Sequence, residues 1–321
     1  MAQDEASRPA VTRTGYWRAE KLELGRRYAY RPEFVPLLLE YLGAKAGMRV
    51  LDVGCGTGFL ACLLAEMLDD VEIIGVDADE RLLEVARQRL EREGLAERVS
   101  LRQGDAYSLP FPDESFDLVT SHTLMCILSD PGKALREQIR VARVGGVVSA
   151  ITCFCHTDGL PHYHGRYPLP GNYRIDELNF QLWRTWRQAV RARLLAVDDK
   201  LNQDLLWQFR AAGLQGVRID GQLQIVSPGD DRLALEEAAD YALDVHRETL
   251  ARLQRWWQEH AEELMAAGFA RQEFEELMEL KRARYQYLQA DPARVREVME
   301  VFVEPHLIVR GTRPPFGDAG L

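Results

Sequence analysis

Residues 49–61 read RVLDVGCGTGFLA. Val50, Leu51 and Val53 form an apolar run of strand length that ends in a carboxylate, Asp52. Glycine then recurs at every second position: Gly54, Gly56 and Gly58. From Phe59 to Leu68 the apolar pattern becomes helical. A buried strand that feeds a glycine turn and then a helix is a nucleotide-binding geometry. Glycine lets the backbone approach a ligand that a Cβ would hold off. The helix start offers N–H groups with no partner inside the helix.

One glycine turn is weak evidence, so the following strand ends carry the argument. Residues 71–77, VEIIGVD, are a second apolar run that ends in Asp77. An acid there suits a ribose diol, because a carboxylate accepts from both hydroxyls. Residues 99–105, VSLRQGD, make a third run ending in Asp105, and a fourth strand follows from Phe116 to Thr120. Three acids at three consecutive strand ends are far more specific than the glycines alone. A nicotinamide or flavin site is the competing reading. It seats a pyrophosphate on the helix N-terminus, and Asp52 would repel that anion. The same acid helps hold a ligand with an ammonium and a sulfonium.

LDVGCGTG (51–58), GVDAD (75–79), GDAYSLPFPDESFDLV (104–119) and ARVGG (142–146) resemble the class I S-adenosylmethionine (SAM) methyltransferases. The nearest group includes the ubiquinone/menaquinone-biosynthesis and small-molecule methyltransferases. The resemblance covers residues 45–152. It implies an α/β fold with a doubly wound, mostly parallel seven-stranded sheet, Rossmann-like. It also implies SAM as cofactor. By position, Gly54, Gly56 and Gly58 line the methionine part, and Asp52 acts near its ammonium, directly or through water. Asp77 takes the ribose hydroxyls, with Ala78 near the adenine. Asp105 accepts the adenine amino proton beside the Ala106 N–H. Ser121 and His122 follow strand four, where the family's active sites face the sulfonium. One departure is Val144, where the family usually has proline. It lies in the turn before the fifth strand and leaves the cofactor site intact.

The chain has 321 residues, more than the SAM core needs. A hydrophobic share of 46% supports a substantial core. The apolar runs are of strand length, so neither a signal peptide nor a membrane span is expected. Five irregularly spaced cysteines point to reduced thiols and a cytoplasmic protein. A net charge of −10 disfavours nucleic acid as substrate, since phosphate binding needs a basic face.

Outside the core the expected organisation is as follows. Residues 1–44 are an N-terminal helical cover, polar as far as residue 14 and bearing Tyr16, Trp17, Tyr28 and Tyr30. Trp17 and Tyr30 are read as packing residues, and Tyr16 and Tyr28 as candidates against the cofactor. Residues 45–230 are the SAM-binding core, with a lid from 156 to 200 that begins as a Pro/Gly loop, 156–173. The sixth strand falls at about 216–226 and the seventh at about 306–312, slotted antiparallel between the fifth and sixth. Residues 231–300 are then a helical insertion, broken near Gly268 and at Asp291-Pro292. With 156–200 it should cover the carboxyl ends of the strands, or else form a dimer interface. Its Trp256-Trp257 pair reads as packing against a lid or a partner in a homodimer. Residues 301–321 are the final strand and tail.

Methyl transfer is an in-line displacement, so positioning supplies much of the acceleration. A base is needed when the nucleophile carries a proton at working pH. His122 is the candidate base or orienting residue. Cys153, Cys155, His156, His162 and His164 fit no standard zinc spacing, so no metal is expected, and the segment reads as a substrate-facing lid with Tyr163, Tyr167 and Tyr173. Cys55 within the glycine loop is ordinary for the resembled family. The expected function is methylation of a small-molecule acceptor at O, N or C. Two other readings are a SAM-binding protein that does not methylate and a peptide or protein methyltransferase.

Overall fold

The computed structural model describes residues 30, 34–125, 127–153, 163–186, 188–189, 205–230 and 234–315. The chain divides into two compact units. The first comprises residues 1–156, 199–223 and 305–321, and the second residues 157–198 and 224–304.

The first unit opens with helix α1 (Val35–Leu42), closed by Gly43 at φ +77°. Strand β1 (Arg49–Val53), helix α2 (Phe59–Met67), β2 (Glu72–Asp77), α3 (Glu80–Glu93) and β3 (Val99–Gln103) follow. Then come β4 (Phe116–His122), α4 (Pro131–Val141) and β5 (Ala142–Cys153). The caps are those the residues favour. Asp79 accepts from the Arg81 N–H at the start of α3 and Gly94 closes that helix at φ +69°. Asp130 accepts from the Lys133 N–H at the start of α4. Strands β3, β2, β1, β4 and β5 lie side by side and parallel.

Alternation along β1 explains the two apolar layers. Val50 packs with Leu42, Leu60, Leu64 and Ile73 on one face. Leu51 and Val53 pack with Leu135, Val148 and Phe209 on the other. Both faces of a parallel sheet are thereby covered.

Helix α6 (Leu205–Ala211) and strand β7 (Gln215–Val226) come later in the chain. The last strand, β8 (Met299–Thr312), pairs with β7 and runs antiparallel to β5, from Cys153 opposite His306 to Val147 opposite Thr312. The seventh strand of the core is therefore antiparallel and sits between the fifth and sixth, as expected. Its register faces Ile308 and Val309, both fully buried, to opposite layers.

The second unit is mainly helical. Helices α5 (Asn172–Trp186), α7 (Leu235–Ala266) and α8 (Arg271–Ala290) supply its main core. Ile175, Leu178, Leu182 and Trp186 line one side of α5, and pack with Leu253, Trp257, Leu277 and Met278. Trp256 stacks on Trp186 with centroids 5.0 Å apart, and Trp257 stacks on Phe274 at 4.3 Å. Both tryptophans are packing residues within the unit. The breaks at Gly268 (φ +99°) and at Asp291-Pro292, where a 3-10 turn begins, fall where expected.

Two expectations need correcting. The 156–173 stretch is not loop throughout: Tyr163–Arg166 forms β6 and pairs antiparallel with residues 299–302 of β8. This adds a short eighth strand and lengthens the last one from seven expected residues to 14. The fifth strand also starts earlier, at Ala142, because residues 143–146 bulge out between the pairs Phe116–Ala142 and Leu118–Val147. Arg313 clamps that bulge. Its guanidinium donates to the carbonyls of Arg140 and Ala142, and its own backbone bonds Gly145 and Gly146. Val144 lies on the exposed outside of the bulge.

Candidate cofactor and acceptor site

The glycine turn leaves β1 with three successive left-handed glycines: Gly54 at φ +71°, Gly56 at +56° and Gly58 at +76°. An L side chain is strained in that region. At Gly54 a Cβ would also stand 2.8 Å from Leu124 Cδ1, so that side chain would have to shift. The turn is held from β2: the Gly54 and Cys55 N–H groups donate to the Val76 carbonyl at 2.7 and 3.0 Å.

Asp77 ends β2 and is buried. Its Oδ2 accepts from the Gly56 N–H at 2.8 Å and its Oδ1 from the Asp79 N–H at 2.9 Å. Asp77 and the glycine turn are thus fastened to one another. A carboxylate has about four lone-pair sites, so acceptor capacity remains for a diol. Burial pushes the Asp77 pKa above the ordinary carboxylate value, against the Asp79 and Gly56 N–H bonds that lower it.

Asp105 follows β3 and is exposed. Its Oδ1 accepts from the Tyr107 N–H at 2.8 Å, so it shapes the turn that carries Ala106. The Gly104 N–H donates to the Asp77 carbonyl, and Gln103 Nε2 to the Ala78 carbonyl at 3.1 Å. These bonds tie the second and third strand ends. Asp52 is buried between β2 and β4, opposite Gly75 and Thr120. Ser121 stands opposite Val53, and its fully buried hydroxyl makes no hydrogen bond among the described residues. An orphaned hydroxyl at strand ends that also carry a glycine cradle and two buried carboxylates, Asp52 and Asp77, suits a nucleoside with an amino-acid tail.

His122 ends β4 and is buried. The next residue, Thr123, takes a positive φ of +54°. Its Oγ1 donates to the His122 carbonyl at 2.7 Å and its N–H to the Ile151 carbonyl at 2.8 Å. Backbone strain of this kind costs about 1–3 kcal/mol and persists where neighbours over-determine it. The His122 Nε2 lies 2.7 Å from the Tyr30 hydroxyl. Phe59 and His306 pack against the Tyr30 ring, at centroid distances of 5.1 and 5.7 Å, and His306 lies 5.9 Å from His122.

The structure brings together Asp52, Gly54, Gly56, Gly58, Asp77 and Ser121, with His122 at the next strand position. It shows Tyr30 packed in the core as expected, but its hydroxyl partner was not foreseen. The aromatic content of residues 16–30 was the only signal for it. His306 was missed too. It is two residues from the buried Ile308, and a histidine in phase with a buried strand position is itself a signal. Tyr16, Trp17 and Tyr28 lie outside the described residues, as do Cys155, His156 and His162. Tyr167 is buried and Tyr173 exposed, both within the second unit. Burial, helped by nearby Glu93, Glu66 and Asp52, raises the Cys62 thiol pKa. A groove lined by Asp69, Asp70, Glu97 and Arg98 lies at the amino end of β2 and has no part in this site.

A family described as "Methyltransferase domain" matches residues 44–190. An uncharacterized methyltransferase of Bacillus subtilis, YcgJ, is 30% identical over 223 residues, covering 68% of this chain and 83% of its own length. Its crystal structure aligns over 88% of this chain and 99% of its own, at 21% identity and a TM-score of 0.48. Methyltransferase GfsG of Streptomyces halstedii is 42% identical over 109 residues, which are 34% of this chain and 39% of GfsG. UbiE of a Shewanella species, a ubiquinone/menaquinone biosynthesis C-methyltransferase, is 37% identical over 109 residues, 34% of this chain and 43% of its own length. The chain spans less than half the length of these last two relatives.

Proposed function

The chain belongs to the class I SAM-dependent methyltransferases, and from that premise we propose that it transfers a methyl group to a small-molecule acceptor. SAM, when bound, supplies a methyl group on a sulfonium. Gly54, Gly56 and Gly58 would let the backbone close on the methionine part, with Asp52 near the ammonium. Asp77 would accept the ribose hydroxyls. Asp105, with the Ala106 N–H, would address the adenine. The observation that carries the reading is the bond from the Gly56 N–H to Asp77, which joins two halves of one ligand site in a single geometry.

Within this reading Ser121 and His122 stand at the acceptor side, since β4 ends beside the glycine turn. His122 is the residue that manages the acceptor proton. A net charge of −10 and the likeness to UbiE, a ubiquinone/menaquinone biosynthesis C-methyltransferase, favour a small organic acceptor over nucleic acid. Among the described residues no helix is long and apolar enough to cross a membrane. We assign the protein to the cytoplasm on its cysteine usage, and no metal to its site.

Incubation of the full chain with SAM and candidate acceptors, read by mass spectrometry, tests the reading. The expected result is a product bearing one added methyl group together with S-adenosylhomocysteine. SAM turnover to any other product, with no methylated acceptor, would favour non-methylating SAM chemistry. Elemental analysis of protein purified without added metal should find less than stoichiometric zinc. A tightly held equivalent would overturn the metal-free assignment.

A further inference from the structure

We propose that the exposed face of helix α5 is a homodimer contact, at which α5 of a second copy of this chain packs antiparallel about a two-fold axis beside Phe180. This contact does not depend on which acceptor is methylated.

Helix α5 has two apolar sides. Ile175, Leu178, Leu182 and Trp186 face the core of the second unit. The opposite stripe, at positions i, i+4, i+7 and i+11, is Tyr173, Glu177, Phe180 and Arg184, all exposed. A helix on the surface of a folded unit ordinarily turns polar residues to water. Here two of the four are large rings, Tyr173 at 77% exposure and Phe180 at 53%. Clustered exposed rings mark an interaction surface, whereas scattered single ones do not. The tryptophans that the sequence offers for such a contact, Trp256 and Trp257, are taken up inside the unit by Trp186 and Phe274. The Arg166 guanidinium lies over the Tyr173 ring, 4.6 Å from its centroid. That contact holds the ring, so little side-chain freedom remains to be lost on docking.

Charge along the stripe selects a second copy as the partner. The Arg174 guanidinium is shared by two carboxylates, donating to Glu177 at 2.8 Å and to Glu276 at 3.0 and 2.8 Å. The Glu177 end of the stripe is therefore negative on balance. Arg184, in the last turn, enters no ion pair among the described residues. The midpoint of positions 177 and 184 falls between Phe180 and Gln181. Turning a copy of the helix end for end about that point sets Glu177 level with the partner's Arg184, and Arg184 level with the partner's Glu177. One contact is thus made twice, as a two-fold interface requires. Each charge stands ~5 Å along the helix from the axis, at 1.5 Å per residue, and the two Phe180 rings meet between them. An aromatic centre with a charged rim is the anatomy of a protein interface. Parallel pairing would set like charges level, which is costly. A single helix face is small beside the ~800 Å² per partner of a standard interface, so the dimer exchanges reversibly with monomer.

The test is sedimentation velocity of the full chain over a dilution series of ~1–300 µM. A reversible monomer–dimer equilibrium is expected. Phe180→Asp should raise the dissociation constant at least ~30-fold, since a central aromatic is lost from both copies. An unchanged thermal midpoint in that variant shows that it is folded. Glu177→Arg and Arg184→Glu should each be monomeric alone, because like charges then face one another. Mixed in equal amounts they should pair, because mixing restores both opposite-charge contacts.

A wild type that stays monomeric throughout the series would overturn the proposal. So would a dimer that Phe180→Asp leaves intact, or charge variants that remain monomeric on mixing. Phosphatidylcholine vesicles that bind a monomeric wild type but not Phe180→Asp would give the face to lipid instead.

Discussion

If Asp77 takes the ribose hydroxyls as proposed, its protonation is coupled to ligand binding. Its carboxyl is buried, and burial holds its pKa above the usual aspartate value in the folded chain. A raised carboxyl contributes stability at low pH, and that contribution is lost as pH rises through the folded pKa. The ribose diol needs the ionised form, so SAM affinity should run the other way and fall as pH drops through that raised pKa. Calorimetry across a pH series should show this decline above the ordinary carboxylate range, and Asp77→Asn should flatten it. A pH-independent affinity in the wild type would contradict the assignment. Gly54→Ala is a second test at this scale. The left-handed backbone and the 2.8 Å approach to Leu124 should cost ~1–3 kcal/mol, read as a lowered midpoint in thermal or urea unfolding. An unchanged midpoint would mean that the turn relaxes freely.

Among the elements, the second unit's helices depend on ring stacking. Trp257 is buried against Phe274, with the Arg271 guanidinium 5.7 Å from its ring centroid. Trp257→Ala should cost ~3–5 kcal/mol, measured by urea unfolding, whereas a loss below ~1 kcal/mol would show that the site collapses around the gap. On α4 the fully buried Gln138 amide has no hydrogen-bond partner among the described residues. Gln138→Met keeps the volume and should be neutral or stabilise by about 1 kcal/mol; a clear loss would reveal an unseen partner. Much of this level was legible in the sequence, for identifiable reasons. Local signals mark β1 to α4: alternating apolar residues, Asp79 and Asp130 as caps, and glycines at turns. Strand β6 escaped because four residues, YHGR, carry no alternation, and their pairing partner lies more than 130 residues away. The Tyr30–His122 bond escaped for the same reason, since its members are 92 residues apart. Acids at strand ends can be read locally, whereas a contact such as Tyr30–His122 joins distant segments and leaves no local pattern.

At the scale of the whole molecule, the second unit is built from two separate stretches of chain, 157–198 and 224–304. Helix α5 supplies one wall of the core that α7 and α8 share. Residues 231–300 alone lack that wall, and amphipathic helices without an apolar partner are marginal. Expressed by themselves they should show no cooperative thermal transition by circular dichroism. A stable fragment released from the intact chain by limited proteolysis would contradict the description of this stretch as an insertion. The central claim, that the first unit holds SAM between the glycine turn and Asp77, has a direct measurement. SAM is titrated calorimetrically into the full chain and into Asp77→Ala. The account predicts one saturable site per chain, weakened in the variant by ~1–3 kcal/mol, because a buried polar contact is lost. Equal affinity in the two proteins, or no binding to the wild type, would contradict it.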